Sequence, residues 1–583
     1  MHGTDSAGKG MRMGVFSRGA FRRLPALALR ALLLAALSLA VAALAVFGSA
    51  IKGTGWIHGA IGPLVAQTLA IAPAVALVIL LLGAASARLS RPPRDGSRPS
   101  RLRGPLGPLV SPGAPGVLLT AVLIFACWLP WLVSLYPGAM IYDTYYQISQ
   151  CYPVWSPEGF SIGAVWGVPD GFRFSDHHPI LVTLLYGSFA RASQALTGSW
   201  DAGVFAFAAL QCAGTALAFS CALGTLGRHG APSWLRLAAL LLICSVPVYG
   251  DYASTVVKDS LFSGIYVLWF SQLVEVIATR GASLGRPGFL AASFATACLL
   301  ALTRKTGAYV AVPTLALLAL LYRPGRFRLA AQAAGVALLV WGVLPGAVFP
   351  ALSVSPGGRQ EALGTLFQQT ARCALLFPGE MTAGEAAAVE SVLGEGFADR
   401  YKPKWADPVK YGFDPDASAG ELGDYLGVWA RQGLRHPDVY AEGALAMTAG
   451  FVAPGGEIQL RDEVWDKKNS GTELLEQPDE LKQARRSMCS YWNAWQDSPI
   501  AGALLDAAPY VVWVPALALW SLSRRATWRW LPLLIPTGLT VASVALSPMF
   551  DARYALPLIY TAPLLLCVLG AAARGGSPEA GRA

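Results

Sequence analysis

The chain has 583 residues, of which 54% are hydrophobic and only 14% are charged, and its mean hydropathy is +0.47. This composition excludes an ordinary soluble domain and a fibrous protein, and it is typical of an integral membrane protein that crosses the bilayer many times. The formal net charge is +10, but the basic residues form short clusters at the ends of apolar runs. That distribution indicates membrane topology and speaks against nucleic-acid binding.

Long apolar runs predict the membrane spans, because a hydrocarbon core of about 30 Å needs about 20 helical residues. The first run is longer than a signal-peptide core and no cleavage-site pattern follows it, so we interpret it as a retained span. We predict about twelve spans, within a range of eleven to thirteen, at residues 24–48, 61–87, 116–135, 203–226, 235–250, 260–279, 288–303, 306–322, 328–350, 507–523, 530–547 and 554–573.

Basic clusters predict the orientation, because Lys and Arg in short loops stay in the cytoplasm. Clusters that mark cytoplasmic segments lie at residues 12–23, 88–103, 228–236, 280–286, 323–328, 524–529 and 574. All of them agree on one orientation if residues 178–196 do not cross the membrane. This segment has too few apolar residues for a span and contains Arg191, so we expect a helix along the membrane surface. We therefore expect a multi-pass protein of the cell membrane with both termini in the cytoplasm.

The predicted fold is an all-α polytopic membrane protein in four parts. Residues 1–105 contain two spans and a basic cytoplasmic linker, and residues 106–350 form a membrane core whose outer loop is 136–202. Residues 351–506 have the composition of a soluble domain and predict a small, mainly helical ectodomain on the outer side. Residues 507–583 contain three spans and a short cytoplasmic tail.

The nine cysteines show no spacing that is typical of zinc or iron sites. Most lie inside apolar runs, where packing explains them. Cys373 and Cys489 lie in the same polar region, and both a disulfide and two free thiols are compatible with the sequence. If they pair, Cys151 is left without a partner.

The outer loop begins with IYDTYYQISQ, which places Asp143 just after a span among aromatic residues. One interpretation is a helix N-cap. The other is a base or metal ligand at the membrane surface, where lipid-linked substrates present their head groups. In the second interpretation Tyr142 and Gln147 are candidates for substrate binding.

The same loop continues with FSDHHPIL, which contains Asp176, His177 and His178 before a helix start at Pro179. Successive side chains on a helix diverge by about 100°, so the two imidazoles are poorly placed to share one metal. We interpret one histidine as a contact to phosphate or metal and Asp176 as a possible metal ligand. Ordinary loop packing is the alternative.

The later outward turns also carry charges. Lys258 and Asp259 stand at the entrance of a span, where they must face protein or water, because a charge at a helix centre costs about 2.5–3.5 kcal/mol on insertion scales. A salt bridge or an N-cap is the structural alternative for this pair. Arg304 and Lys305 lie outside against the positive-inside bias, which suggests an anion to bind.

The last outward turn carries Arg553, two residues after Asp551, and a snorkelling interface pair is the alternative to a binding role. Because five turns place charges at one membrane depth, we expect them to share a pocket at headgroup level. If Asp143 and Asp259 meet at about 4 Å, they repel by about 4 kcal/mol at an effective dielectric constant near 20. A divalent cation, Mg or Mn, is a natural remedy, with Asp143, Asp259 and Asp176 as its ligands.

These motifs resemble those of the C-type glycosyltransferase superfamily, in particular its branch of protein mannosyltransferases and aminoarabinose transferases. In that branch a Tyr-Asp-acidic element follows the first core span, a Pro-containing helix start follows it, and a Thr-Asp element begins a later span. The corresponding elements of this chain are IYDTYYQ, HHPIL and VVKDSLF, and the resemblance covers about residues 116–350. The chain also resembles uncharacterised bacterial membrane proteins with YDTYYQ, DHHP and KD elements. It departs from the branch at Thr144, where a second acidic residue is common, and at His178-Pro179, where related enzymes have Lys-Pro-Pro.

The resemblance implies an inverting transfer of a sugar from a polyprenyl-phosphate donor to an envelope acceptor at the outer face, with membrane lipid as a further partner. Asp143 is then expected to deprotonate or orient the acceptor, and Asp259 to help hold a divalent metal on the donor phosphate. The residues expected to bind substrate or neutralise the leaving phosphate are Lys258, Arg304, Lys305, Arg553, His177, His178, Tyr142 and Gln147.

Two other classes of function remain open from the sequence. A lipid or polysaccharide transporter or flippase would also carry charged residues within its spans, although transporters favour charges near the midplane and helices broken in paired halves. A non-catalytic subunit of envelope assembly would need none of the charged residues for chemistry. The sequence has neither a GxxxxGK[ST] phosphate loop nor a GxSxG nucleophile elbow.

Overall fold

The computed structural model describes residues 24–89, 107–151, 168, 171–462, 477–524 and 527–574. Within these residues the protein is almost entirely helical, and the only strands are the two-residue segments Phe174–Ser175 and Val354–Ser355. They pair in parallel with Phe174 opposite Val354, which ties the outer loop to the start of the polar region. The predicted all-α class is confirmed for the described part of the chain.

Several apolar helices are long enough to cross a membrane, which supports a membrane-embedded protein with more than one span. The described residues contain seven of them: Leu27–Thr54, Ile61–Leu89, Ala114–Ser134, Asp201–Arg228, Lys258–Ala278, Arg323–Leu352 and Ala552–Ala573. Three shorter apolar helices are Pro287–Thr303, Lys305–Leu321 and Pro509–Leu522. The helix Leu534–Ala545 precedes the last outward turn. The total of twelve spans stays a prediction.

The predicted span at residues 235–250 is broken in the structure. The helices Ser233–Ser245 and Pro247–Ser254 meet at an angle of 58°, and together they make an eighth candidate span. Val246, between them, has extended backbone angles. A residue before proline is disfavoured in helical conformation by contact with the proline ring, and this explains where the first helix ends.

The helix Ile180–Thr197 covers all but the first two residues of the segment 178–196, which we left out of the predicted spans, and it is not among the candidate spans. It packs against Asp201–Arg228 so closely that a Cβ on Gly203 would lie 2.2 Å from the carbonyl oxygen of Phe189. Glycine is therefore required at this crossing. Whether the helix lies along the membrane surface stays a prediction.

The predicted cytoplasmic turns gather at one end of the helix bundle. The backbones of Gly281 and Gly325, from two such turns, are in contact. The guanidinium carbon of Arg30, near the start of the first helix, lies 4.5 Å from the ring centre of Trp520, near the end of another. These contacts support the predicted division of the turns into two sides, and the orientation of the two sides stays a prediction.

Helices of the region 359–452, which we call the polar domain, pack together at the other end of the bundle. They are Gly364–Leu376, Ala383–Leu393, Asp407–Lys410, Ala419–Arg435 and Pro437–Val452. The helix Lys482–Gln496 packs instead against the span Ala114–Ser134, where Trp492 meets Trp131. The predicted boundaries 351–506 stay a prediction. Phe367, Val392, Val409 and Tyr425 lie in the buried apolar core of the polar domain. The helices at residues 383 and 419 begin with complete capping boxes, which satisfy backbone N–H groups that a helix start leaves unpaired.

The turn between the first two helices docks on this domain. Its contacts are made with a buried ion pair of the domain, Arg372 and Glu442. Arg372 donates to the carbonyl oxygen of Gly55 at 3.0 Å and its guanidinium lies 4.0 Å from the ring centre of Trp56. Glu442 accepts from the backbone N–H of His58 at 3.0 Å. The turn of the N-terminal helix pair is therefore fixed to the polar domain.

Replacing Glu442 with glutamine is expected to lower the free energy of unfolding by about 3–5 kcal/mol, because it leaves the wholly buried guanidinium of Arg372 without a counter-ion. The measurement is thermal unfolding of the purified full chain in detergent. Glu395→Gln, at an exposed position of the same domain, serves as the control and is expected to change the midpoint little. Equal midpoints for the two variants would contradict the assignment.

The cysteines are unbridged in the described residues. Cys373 is buried against Val439 and Tyr440, whereas the thiol of Cys489 lies 3.4 Å from a carboxylate oxygen of Asp462. Of the two alternatives for Cys373 and Cys489, the structure has the free thiols. Cys151 is also free, 3.6 Å from the carbonyl oxygen of Thr183.

Candidate functional site

Asp143 lies at the start of the short helix Tyr142–Ser149, yet it does not cap that helix. The N-cap residue is Ile141, and no side chain caps the first turn. The carboxylate of Asp143 is buried and instead contacts the ammonium of Lys258 and, at 2.9 Å, Nη1 of Arg553. The N-cap interpretation of Asp143 is therefore wrong, and its side chain belongs to a buried ion cluster.

A short backbone pairing holds this helix against the entrance of the span Lys258–Ala278. Met140 and Val256 form a parallel bridge, and the N–H of Val256 donates to the carbonyl oxygen of Ala139 at 2.7 Å. The hydroxyl of Thr144 donates to the carbonyl oxygen of Val256 at 2.5 Å. Thr144, where the resembling enzymes often have a second acidic residue, thus serves to fix the position of Asp143 relative to Lys258.

Arg553 joins the two predicted catalytic carboxylates. Its Nη1 lies 2.9 Å from Asp143, its Nε lies 4.0 Å from Asp259, and the same Nε lies 3.2 Å from Asp551. Asp551 caps the final helix by accepting from the backbone N–H of Arg553 at 3.1 Å. One buried guanidinium therefore offsets the repulsion that the sequence predicted between Asp143 and Asp259.

Asp259 is completely buried but makes no hydrogen bond through either carboxylate oxygen within the described residues. Nε of Arg304 lies 3.2 Å from one oxygen, so the charges are close although the geometry is not aligned for a hydrogen bond. The N-cap of its helix is Val257, which excludes the capping interpretation. A buried carboxylate with unused acceptor capacity is the feature expected of a group that binds a hydroxyl-bearing ligand.

The histidine loop lies beside this cluster. The ring centres of His177 and His178 are 4.5 Å apart, and Nδ1 of His177 lies 3.8 Å from a carboxylate oxygen of Glu361 in the polar domain. Burial, followed by the nearby Lys258 ammonium, lowers the pKa of His177 to about 3 and that of His178 well below its usual range. Both imidazoles are therefore neutral at pH 7 and can offer hydrogen bonds, but no positive charge, to a ligand.

Folding is expected to weaken in acid because of these histidines. The unfolded chain binds a proton at each imidazole below pH ~6.5, whereas folded His177 resists protonation down to about pH 3. Stability is thus fully present above pH ~6.5 and falls as the pH decreases, by at most about 1.4 kcal/mol per pH unit for each histidine. Thermal midpoints between pH 7.5 and 5 should fall less steeply for His177→Gln than for the wild type. Parallel curves would contradict this expectation.

Asp176 and Lys305 pair with each other at the edge of the site, with Nζ of Lys305 at 3.2 Å from the carboxylate. Burial raises the pKa of Asp176 despite this cation. Lys305 is exposed over 44% of its side chain, which leaves it the most accessible cation of the predicted set in the described structure. The pair places an accessible ammonium group beside the histidine loop.

Tyr142 and Gln147 differ in their placement. Burial, followed by the charge of Asp143, raises the pKa of Tyr142, so its hydroxyl stays protonated and close to the cluster. The amide of Gln147 is buried and donates to the hydroxyl of Thr183 at 3.2 Å. Gln147 therefore contacts the helix Ile180–Thr197, and no described contact joins it to the charged cluster.

Two charged residues of the cluster did not emerge from the sequence. The guanidinium of Arg461 contacts Asp551, and its backbone N–H donates to the carboxylate of Asp251 at 3.0 Å. Lys410 lies 2.8 Å from both Glu361 and Asp407, beside the histidine loop. Both belong to the polar region, which therefore contributes charges to the site. No spacing or motif in the sequence marks either residue.

The predicted metal ligands are each engaged by a cation of the protein. Lys258 and Arg553 contact Asp143, Arg304 and Arg553 lie against Asp259, and Lys305 contacts Asp176. The described residues contain no group of three or more His, Cys, Asp or Glu that could hold a metal. With these cations in place the three carboxylates do not form a Mg or Mn site, and the predicted metal stays a prediction.

The charge state of Asp143 follows from two opposing effects. Burial alone would raise the pKa of its carboxyl group, but the guanidinium of Arg553 and the ammonium of Lys258 outweigh burial and hold the pKa well below its usual range. Asp143 is therefore ionised at any physiological pH. In this paired state it is a weak base.

Comparisons with curated proteins and with solved structures gave no match. A comparison with protein-family models matched residues 116–582 to a family of unknown function, DUF6020. The match begins within the helix Ala114–Ser134, so it contains the whole charged cluster and leaves out the N-terminal helix pair. The chain belongs to the DUF6020 family.

Proposed function

We propose that the chain is a membrane glycosyltransferase, which moves a sugar from a polyprenyl-phosphate donor to an acceptor hydroxyl or amine at the outer face of the cell membrane. The observation that supports this most directly is the cluster of Asp143, Asp259, Lys258, Arg304 and Arg553. These residues come from four separate segments and meet at the ends of apolar helices. Carboxylates for an acceptor and cations for a phosphate leaving group are what this reaction requires.

The proposed reaction is a single displacement. A lone pair of the acceptor oxygen or nitrogen attacks the anomeric carbon, and the bond between that carbon and the phosphate oxygen breaks as the new bond forms. The electron pair of the broken bond leaves with the polyprenyl phosphate, and the acceptor proton passes to the carboxylate of Asp143. Attack on the face opposite the leaving group inverts the configuration at the anomeric carbon.

Donor binding would also activate Asp143. With Lys258 and Arg553 against it, Asp143 is too weak a base to accept a proton readily. A donor phosphate competes for the same two cations, and any withdrawal of these cations raises the pKa of Asp143. The base would thus gain strength only when the leaving group is in place, which suppresses transfer to water in the empty site.

Asp259 has a different role in the proposal. Its carboxylate is buried deeper than that of Asp143 and has unused hydrogen-bond acceptors. A sugar hydroxyl that donates to it would be fixed in orientation, and such positioning contributes to the rate without proton transfer. The guanidinium of Arg304 lies 5.5 Å from the ring centre of Phe262 and 5.4 Å from that of Tyr554, and its Nε lies 3.2 Å from Asp259. In the proposal this cation contacts the donor phosphate beside Asp259.

The test uses the purified full chain in detergent with a panel of polyprenyl-phosphate sugars and a mixture of hydroxyl and amine acceptors. We expect release of polyprenyl phosphate with at least one donor, and loss of release in Asp143→Asn. Parallel reactions with Mg, Mn or a chelator determine whether a divalent cation takes part. Failure of every donor, or equal release by Asp143→Asn, would count against the proposal.

A lipid or polysaccharide transporter is the second candidate, and the bend of 58° between Ser233–Ser245 and Pro247–Ser254 favours it. Broken helices with a charged residue, here Asp251, often line substrate paths. In proteoliposomes, a transporter would move a lipid-linked sugar between leaflets without releasing polyprenyl phosphate. A glycosyltransferase would release it. A non-catalytic assembly subunit would retain its envelope function in Asp143→Asn.

A further inference from the structure

A second cluster of positively charged and polar groups lies at the opposite end of the bundle from the charged site. A cavity of about 240 Å³ opens there between the ends of three helices. Polar residues of its lining include Ser86, Ser521, Arg524 and Thr527. None of the lining residues that the structure describes has a carboxylate, so Arg524 has no counter-ion in the described lining.

Several hydrogen-bond donors at this cavity are buried and unsatisfied within the described residues. In the lining they are Nε of Arg524 and the hydroxyl of Ser521, and the indole N–H of Trp520, which packs against Gly83, lies behind the lining. Nε of Arg30, whose guanidinium stacks on Trp520, is also unsatisfied. Buried polar atoms normally have partners, and four orphaned groups in one place indicate a ligand that accepts hydrogen bonds.

The charges point to an anion. Burial, followed by the nearby Arg30 cation, lowers the pKa of Arg524, which means that its surroundings disfavour its positive charge. An anion between the two guanidinium groups would remove this repulsion and supply acceptors for the donors. Arginine pairs bind phosphate oxygens through parallel hydrogen bonds, and basic pockets between membrane helices commonly bind lipid head groups.

The neighbouring surface is suited to acyl chains. Leu81 and Leu82, which precede Gly83 on the helix Ile61–Leu89, are exposed over 60% and 45% of their surface. A Cβ on Gly83 would lie 3.0 Å from the indole of Trp520, so glycine lets the Trp520 ring approach this helix. The cavity thus joins an apolar outer surface to a cationic interior at the end of a helix bundle, the depth at which phospholipid phosphates lie.

We propose that this cavity binds a phosphate-bearing anion through Arg524 and Arg30, with Ser521 and Trp520 as further donors. A phospholipid head group and free phosphate are the two sources of that chemistry. The site joins the N-terminal helix pair, which carries Arg30 and Gly83, to the family core that carries Arg524. The bound anion would thereby cross-link the two parts at the end opposite the Arg372–Glu442 contact.

The test compares the full-length wild type with Arg524→Gln, Arg30→Gln and the double variant. Arg326→Gln is the matched control, because it removes the same charge from the same end of the bundle and lies outside the cavity. Native mass spectrometry counts phosphatidylglycerol and phosphatidylcholine molecules retained from mixed micelles. Thermal shift with inorganic phosphate forms the second arm.

We expect preferential retention of phosphatidylglycerol by the wild type and the control, weakened about fivefold by each single variant. A phosphate-induced shift that depends on Arg524, without lipid retention, would identify free phosphate as the occupant of the same site. Equal lipid retention and equal phosphate shifts in the wild type and the double variant would overturn the proposal. Because Arg30 also packs on Trp520, Arg524→Gln is the decisive variant, and its ligand-free midpoint verifies that it folds.

Discussion

Replacing Arg553 with methionine is expected to lower the free energy of unfolding by about 3–5 kcal/mol, because the change leaves buried carboxylates without their shared counter-ion. Arg553 is 4% exposed and contacts Asp143, Asp551 and, at longer range, Asp259. Methionine fills similar space but supplies no charge. Enzymatic release of polyprenyl phosphate should disappear in the same variant.

The measurement is thermal or denaturant unfolding of the full chain in one detergent. Arg286→Met is the matched control, because Arg286 also pairs with a carboxylate, that of Glu275, but its side chain is 62% exposed. Exposed ion pairs contribute about 0–1 kcal/mol, so the control should unfold nearly like the wild type. If Arg553→Met were as stable as Arg286→Met, the ion pairs of Arg553 would not contribute the predicted free energy of unfolding.

Asp143→Asn is expected to reduce the turnover of folded protein by about 10²–10⁴-fold, which is the usual contribution of a general base. The amide keeps the shape of the carboxylate but can neither accept the acceptor proton nor balance Lys258 and Arg553. Initial rates of polyprenyl phosphate release, normalised to the folded fraction, measure this effect.

Glu442→Gln is the matched control for Asp143→Asn. It also breaks a buried carboxylate–arginine pair, but in the polar domain and away from the cluster. It should lose stability and keep its turnover per folded molecule. If both variants lost turnover in proportion to their stability, Asp143 would be a structural residue and the glycosyltransferase proposal would lose its base.

The location of the site was predictable because charged residues at the ends of apolar helices must face protein or water. A charged side chain that faces lipid costs several kcal/mol of free energy. The shared membrane depth of four charged residues therefore predicted that they form one cluster: Lys258, Asp259, Arg304 and Arg553. The structure joins them through Arg553 and Arg304. The predicted order of the membrane spans was enough to bring these distant residues together, and no local sequence motif was needed.

The details of the cluster were not predictable in the same way. The capping interpretation of Asp143 and Asp259 was wrong because each helix begins a residue or more before the aspartate, and capping depends on that exact position. Arg461 reaches Asp551 across 90 residues of sequence, and only the tertiary fold brings them together. The break at Val246, by contrast, could have been predicted from the proline that follows it.

The docking of the N-terminal turn on the polar domain has a consequence for biosynthesis. Ile57 donates to Glu442, which lies 385 residues later in the chain. At a translation rate of about 5–20 residues per second, the first two helices wait on the order of 20–80 seconds in the membrane before their partner has been synthesised. This helix pair is therefore synthesised well before its contacts can form, which makes it a natural client for insertion chaperones.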